Sequence, residues 1–363
     1  MGSVFCGSQL KLSVFGESHG QAIGMVLDGF PSGMAVDMEL IKRQLERRRP
    51  NAAAYSTKRK EPDEPKVLSG IASGVICGSP ICMAIENLDA RPGDYKTDVF
   101  RPSHADYTGY IRYKGHNDAA GGGHFSGRLT APLVMAGALC RQYLKEKFGV
   151  EIFGRIKSIG GVNDRELEYE KGQIKGLEQL SGKDFPMLDE KAGQQMLELI
   201  QKAASSGDSL GGTVECVAVG VKAGLGSPNM WGVESRLAAL LFAIPAVKAL
   251  EFGSGFEMCG MRGSEANDAF AFDEKVYTLT NHNGGILGGI TSGMPITFTV
   301  GIKPTPSIAL PQRTINNRFE SVEHKIKGRH DPCIVPRAVP AVEAAAAIAL
   351  LDLYLEAVGY EGA

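Results

Sequence analysis

The feature that most restricts how this chain can fold is a pattern that comes round twice. Residues 22–33, AIGMVLDGFPSG, read as a strand closed by a turn, and lead into the helical stretch MELIKRQLERRR at 38–49. Much later SLGGTVECVAVGV at 209–221 again reads as a strand, followed by the turn KAGLGSP and the helix VESRLAALLFAI. VLSGIASGVICGSPICMAIEN at 67–87 is echoed by GGILGGITSGMPITFTV at 284–300, each with Ser-Gly and then a Gly-x-Pro-Ile turn into a strand. An Ala-rich helix lies downstream of each: TAPLVMAGALCRQYLKEKF at 130–148 and RAVPAVEAAAAIALLDLYLEAV at 337–358. Gly-Pro turns before strands are common, so chance likeness accounts for part of this as readily as duplication does. Taken as a diverged duplication, the halves share glycine-rich seams and no linker. The expectation is one intertwined α+β domain over residues 1–363, with helices packed between or against sheets.

Local signals support the same elements. Asp37 is a good N-cap for the helix that follows, and Pro50 stops it with Arg47, Arg48 and Arg49 in the last turn. Those cations suit the helix dipole, and three adjacent arginines point in different directions, so one is free to face inward. Residues 151–160 read as a strand, 161–188 as a charged surface excursion, and 189–205 as a helix.

Glycine is abundant, 46 residues of 363, against a usual share of roughly 7%. That means many tight turns, or many places where backbone approaches a ligand. Net charge is -2, which gives no bulk electrostatic case for nucleic acid or an anionic membrane. The seven cysteines are scattered without a C-x-x-C pair, the pattern of reduced cytosolic thiols. No apolar signal region opens the sequence. No apolar run is expected to reach the roughly 18 residues that span a bilayer. A cytoplasmic protein is expected.

Chemistry concentrates between Phe100 and Leu144. His104, His116 and His124 lie there with three consecutive glycines, Gly121 to Gly123, just ahead of the apolar helix. By composition alone this loop suits a binding site or a plain connector equally. Histidine donates and accepts protons near neutral pH. His19 follows Glu17 and Ser18; His104 has Arg101 before it and Asp106 after; His330 lies between Arg329 and Asp331. The glycines can form an anion nest, with Arg128 and a helix N-terminus close behind. Lys303 to Ser307 (KPTPS) add a cation and two hydroxyls. Taken singly, each of these also suits a surface charge or a turn. No Walker motif, no Rossmann fingerprint at a first strand–helix turn, no close metal-ligand pair and no nucleophile elbow occurs. The residues support a phosphate-containing ligand and histidine acid–base chemistry, and stop there.

The motifs themselves go further. FGESHGQAIGMVLDGFPSG at 15–33, RRRP at 47–50, KRKEPD at 58–63, FRPSHADYT at 100–108, GGGHFSGRLT at 121–130, NHNGGILGGITSGMPI at 281–296, KPTPS at 303–307 and GRHDPCIVPRAVPAVEA at 328–344 occur in that order. On them the chain resembles the chorismate synthase family over nearly its whole length. The resemblance implies a single β-α-β sandwich with internal pseudo-two-fold symmetry, assembled as a homotetramer. It implies a lyase of the shikimate pathway that needs reduced FMN. The reaction is the 1,4-anti elimination of phosphate from 5-enolpyruvylshikimate 3-phosphate, a small phosphorylated substrate, to give chorismate.

Residue by residue, the resemblance makes His19 the acid toward the departing phosphate and His104 the histidine acting at the reduced flavin. Asp331 becomes the proton relay, with Ser18 and Ser126 tied to it. FMN positions fall on His124, Phe125 and Ser126, on Pro245 and Ala246, on Gly288, on Lys303, Pro304, Thr305, Pro306 and Ser307, and on Arg329. Arg48 and Arg128 go to the substrate or to NADP. The family's usual loop reads GGGRSSARET, so His124 stands for an Arg and Phe125 for a Ser. Ala120 and Ala54 also stand where arginines are usual, Ser103 where glycine is, and Pro245 where asparagine is. Three arginines are thus lost from the expected anion-binding set, and the absent one at Ala54 points to an external flavin reductant.

Overall fold

The computed structural model describes residues 2–50, 61–88, 98–326 and 331–361. Its first half supplies β1 (Val4–Cys6), β2 (Lys11–Gly16), β3 (Ala22–Asp28), β4 (Lys66–Ser69), the small hairpin of β5 (Ile71–Ala72) and β6 (Val75–Ile76), and β7 (Ile81–Glu86). The second supplies β8 (Glu151–Ile159), β9 (Val162–Asn163), the hairpin of β10 (Glu168–Glu170) and β11 (Gln173–Lys175), β12 (Gly212–Val219) and β13 (Val247–Phe252). It continues with the hairpins β14 (Phe270–Asp273)–β15 (Lys275–Thr278) and β16 (Ile286–Leu287)–β17 (Ile290–Thr291), then β18 (Ile296–Ile302). A last hairpin joins β19 (Gln312–Ile315) to β20 (Ser321–His324). The helices are α1 (Met38–Arg48), α2 (Asp106–Arg112), α3 (Thr130–Phe148), α4 (Glu190–Ser206), α5 (Val233–Leu241), the short α6 (Gly263–Ala266) and α7 (Val335–Glu361).

The two large sheets are antiparallel and five-stranded, ordered β1-β2-β3-β7-β4 and β13-β18-β12-β8-β9. Without the edge strands β1 and β9, the orders β2-β3-β7-β4 and β8-β12-β18-β13 are the same. The helices follow suit: α1 comes after β3 as α5 comes after β12, and α3 after β7 as α7 after β18. The repeat seen in the sequence is therefore a repeat of topology, and the α+β sandwich expectation holds. Alternation sets which face is buried. Ile23, Met25 and Leu27 on β3 face inward beside Ile81, Met83 and Ile85 on β7; Val214, Cys216 and Ala218 on β12 do so beside Ile296, Phe298 and Val300 on β18.

Between the sheets lie α3 and α7, with α1 and α5 packed on them. A helix enclosed on all sides must be apolar all round, and residues 131–140 of α3 are all buried. The two long helices touch at Gly137, where an added Cβ would stand 2.2 Å from Ala344 Cβ. The helix Val335–Gly359 is long and apolar enough to cross a membrane, which corrects the expectation that no such run exists; 89% of its 18-residue apolar window is buried, as in the core helix of this sandwich.

Two carboxylates inside α7 fix its surroundings, because a buried charge persists only when paired and hydrogen-bonded. Glu343 accepts from Arg47 at 2.6 Å, Arg141 at 2.9 Å and the Gly154 amide at 2.8 Å. Asp352 accepts the amides of Ser8, Gln9 and Leu10 at 2.8–2.9 Å, and Arg236 at 2.9 Å. It thereby pins the start of the chain to its last helix.

The 161–188 stretch is more than a surface excursion. Leu177 and Leu180 close a small second apolar cluster over Val217 of β12, so this segment shields the outer face of the second sheet.

Candidate active site

The N-terminal approaches to α3 and α7 open on one cleft of about 1580 Å³. Its floor is the glycine loop. Gly121, Gly122 and Gly123 have φ of 60°, 88° and 51°, a left-handed run in which only glycine sits without strain. Space enforces the same choice. A Cβ on Gly121 would lie 2.1 Å from the His19 ring, and one on Gly122 2.9 Å from the His104 ring. The two histidines thus rest on adjacent glycines of one loop.

Each histidine is held by its own surroundings. The turn carrying His19 is tied to the loop by the Ser18 amide, which donates to the Gly123 carbonyl at 3.0 Å. Asn87 braces it further, donating to the Glu17 and Gly20 carbonyls at 3.0 and 2.9 Å. His104 lies just ahead of α2, a short helix, containing Gly109, that is not expected from the sequence. Its Nδ1 lies 2.6 Å from Asp106 Oδ1. Burial raises the Asp106 carboxyl, but hydrogen bonds from Arg101 and His104 outweigh it and hold it well below the usual carboxylate range.

Five arginines and two lysines line the cleft, against Asp331 and Glu61. The arginines are all paired. Arg48 and Arg128 share the buried Asp63, and Glu61 stands 3.8 Å from Arg128. Arg101 binds Asp106, Arg236 binds Asp352 and Glu356, and Arg337 binds Asp331. Burial, then the facing Arg337, pulls the Arg48 guanidinium down to about 9 against the pull of Asp63. It is still a cation at neutral pH. Lys303 and Lys248 have no carboxylate partner among the described residues. Burial, then Lys248, lowers the Lys303 ammonium, whose Nζ donates to the Ser103 carbonyl at 2.5 Å.

Most residues singled out from the sequence meet here. Ser18, His19, Arg48, His104, Phe125, Ser126, Arg128, Pro245, Ala246, Lys303, Thr305, Pro306, Ser307 and Asp331 all line the cleft. Phe125 packs on Gly109 of α2, where a Cβ would lie 2.7 Å from its ring. Pro304 and Gly288 are exposed and outside the lining; Gly288 turns the β16–β17 hairpin. Arg329 and Ala54 lie outside the described residues. His124 lines the cleft but is engaged elsewhere: one ring nitrogen bonds the Gly16 carbonyl at 2.7 Å and the other the Ser3 hydroxyl at 2.5 Å. It ties β1 to the loop in place of an arginine. Residues that sequence reasoning missed are Asn87, Glu61, Asp63, Lys248 and Arg337. They reach the site from distant segments; Glu61 and Asp63 belong to the KRKEPD motif and Arg337 to the 328–344 motif, but nothing in those motifs points to their partners.

The chemistry of the lining suits a phosphorylated ligand. The Thr305 hydroxyl is buried with no hydrogen-bond partner among the described residues, an unused donor in the wall beside Lys303. Lys303 and Lys248, without carboxylate partners among the described residues, together with five arginines whose charge is shared with carboxylates, suit one or more phosphate or carboxylate groups in an opening of this size.

Comparison with known proteins agrees. The family model for chorismate synthase matches residues 10–355. Chorismate synthase of Thermococcus gammatolerans is 46% identical over 361 residues, covering 98% of this chain and 99% of that protein. Those of Pyrococcus abyssi and Lachnoclostridium phytofermentans are 48% and 47% identical, covering 95% and 98% of this chain and 96% and 95% of theirs. A crystal structure of chorismate synthase superposes with a TM-score of 0.76 at 29% identity, covering 98% of this chain and 94% of that one. Matched end to end in sequence and in fold, the chain belongs to the chorismate synthase family, lyases of the shikimate pathway that eliminate phosphate from 5-enolpyruvylshikimate 3-phosphate to give chorismate.

Proposed function

We propose that the cleft carries out this elimination on reduced FMN, with His19 and His104 as its two proton-handling groups. The observation that carries the reading is their seat on Gly121 and Gly122, inside an opening ringed by cations. When bound, reduced FMN supplies electron density to the allylic system of the substrate as phosphate leaves. Phe125, Ser126, Pro245, Ala246, Lys303, Thr305, Pro306 and Ser307 are the residues we assign to holding it, with His124 lining the cleft beside them although its ring nitrogens are already engaged. Lys303 and the free Thr305 hydroxyl would take its polar groups. Pro304, Gly288 and Arg329 remain assigned to it by family likeness alone.

The protein's own residues do the rest. His19 gives a proton to the bridging oxygen of the phosphate ester, which turns a poor leaving group into a good one; a positioned acid of this kind contributes roughly 10²–10⁴-fold. Arg48 and Arg128 hold the anionic substrate from the far wall. His104 would exchange a proton with the bound cofactor, and Ser18 and Ser126 support the proton path. Asp331, fixed by Arg337, would relay the proton lost from C6. The apolar wall around Leu129, Leu133 and Ile334 limits water.

We also assign the chain a single catalytic domain, supported by one apolar core that includes both sheets. A homotetramer, a cytoplasmic location and dependence on an external flavin reductant complete the proposal. The test is anaerobic turnover with chemically reduced FMN and 5-enolpyruvylshikimate 3-phosphate. Phosphate and chorismate should form in equal amounts, and His19→Ala should lower kcat by at least about 10². Turnover without flavin would sink the cofactor assignment. NADPH-driven turnover by the purified protein with oxidised FMN would remove the external reductant.

A further inference from the structure

Four donors converge on the Asp106 carboxylate, and their arrangement determines which nitrogen of His104 carries a proton. Oδ2 accepts the Arg101 backbone amide at 3.0 Å and Arg101 Nε at 2.7 Å. Oδ1 accepts Arg101 Nη2 at 2.7 Å and faces His104 Nδ1 at 2.6 Å. A carboxylate held ionised by an arginine has no proton to give, so His104 Nδ1 must be the donor. The Arg101 Nη2 and His104 Nδ1 atoms, 3.1 Å apart, are then two donors sharing one acceptor. With Nδ1–H committed, Nε2 is the nitrogen left to exchange protons. Its edge of the ring lies against Gly122, where an added Cβ would be 3.0 Å from Nε2. Arg101 reaches on to the Ser307 hydroxyl at 3.3 Å. The same guanidinium thus joins the 303–307 loop to the carboxylate.

We propose that Asp106, clamped by Arg101, is a positioning residue that fixes His104 in its Nδ1–H form and so presents Nε2 to the cleft as the working nitrogen. The proposal rests on the role given to His104 above. The physical basis is the orienting effect of a carboxylate on a histidine whose other nitrogen does the chemistry.

Asp106→Asn is the informative change, because it keeps shape and removes one acceptor. Two donors, the Arg101 amide and Nε, still demand the oxygen at the Oδ2 position. The amide nitrogen is then forced toward Arg101 Nη2 and His104 Nδ1. An amide N–H facing Nδ1 makes Nδ1 an acceptor, and the proton moves to Nε2, the wrong tautomer for a base at that atom. Asp106→Glu retains a carboxylate and serves as the conservative control.

The experiment reads the ring nitrogens of His104 by long-range ¹H–¹⁵N NMR in the ligand-free protein, with the signal assigned through His104→Gln. In parallel it measures kcat and KM with reduced FMN. The wild type and Asp106→Glu should show a protonated Nδ1. Asp106→Asn should show Nε2–H, with kcat lower by roughly 10²–10³ and KM within about twofold. A purely structural role would instead raise KM and leave the tautomer unchanged. Persistence of Nδ1–H in Asp106→Asn overturns the proposal, as does a flipped ring at full kcat. Full kcat in His104→Gln overturns the underlying role of His104 and leaves the NMR result to judge the coupling alone.

Discussion

His124 and Ser3 are 2.5 Å apart, hydroxyl to ring nitrogen, across 121 residues of chain. The other ring nitrogen faces the Gly16 carbonyl, an acceptor, so the nitrogen facing Ser3 is left to accept the hydroxyl proton. The bond fastens the N-terminal edge strand to the glycine loop. Ser3→Ala should lower unfolding stability by about 1 kcal/mol, read as a lower urea midpoint with unchanged slope. It should also weaken FMN binding, since β1 is a wall of the cleft. An unchanged midpoint and unchanged FMN affinity would show that the strand holds without this clamp.

Ser103 stands where the family usually has glycine, and its φ is 58°. A residue with a Cβ costs roughly 1–2 kcal/mol there, partly offset because glycine is more flexible when unfolded. Ser103→Gly should therefore stabilise the protein, by about 0.5–1 kcal/mol. Thermal unfolding checks the sign: a lower melting temperature would mean that the serine makes up for its strain elsewhere.

Gly121→Ala introduces a methyl group 2.1 Å from the His19 ring at a left-handed φ. The ring must move. Circular dichroism should stay native while kcat falls by roughly 10² or more. If activity survives, His19 does not need its seat on the loop.

Acid should loosen the helix layer through Glu343. Burial raises its carboxyl, but Arg47 and Arg141 outweigh this and hold it below the usual value of 4.5. A carboxyl depressed in the folded state contributes stability above its unfolded pKa, and that contribution is lost as pH falls through the folded one. Glu343→Gln should therefore be less stable at pH 7 and flatter in its stability profile below pH 4.5. Parallel profiles for mutant and wild type would remove Glu343 from the acid response.

The architecture was legible where periodicity and turn chemistry agree. Strand β12 could be matched to β3, β18 to β7 and α7 to α3 because Ser-Gly and Gly-x-Pro turns mark the same points in both halves. The match of β8 to β2 was not visible, since neither strand carries such a marker. The histidines stood out because Gly, Arg and Asp surround them in the chain, and the Arg101–His104–Asp106 cluster is local enough to read directly. Asp63, Glu61 and Asn87 could not be read as partners of Arg48 and Arg128, because only the fold brings them together. The sequence could not reveal that His124 turns away to Ser3 and Gly16, since that depends on where β1 lies.

Asp352 bears on how the chain comes to be folded. The amides of residues 8–10 have their acceptors on a side chain more than 340 positions later. A chain still emerging from the ribosome offers them nothing until that turn of α7 has been made. Most of the first sheet can pair early from local strands, but its N-terminal edge stays unanchored. The Ser3–His124 clamp lies beyond that anchor, so the wall of the cleft closes only near the end of synthesis. Nascent chains halted before residue 352 should be cut by protease near their N-terminus and pass no FMN-binding test, while the finished protein resists both failures. In this enzyme the ligand pocket is among the last parts to be sealed, although much of its lining is among the first to be made.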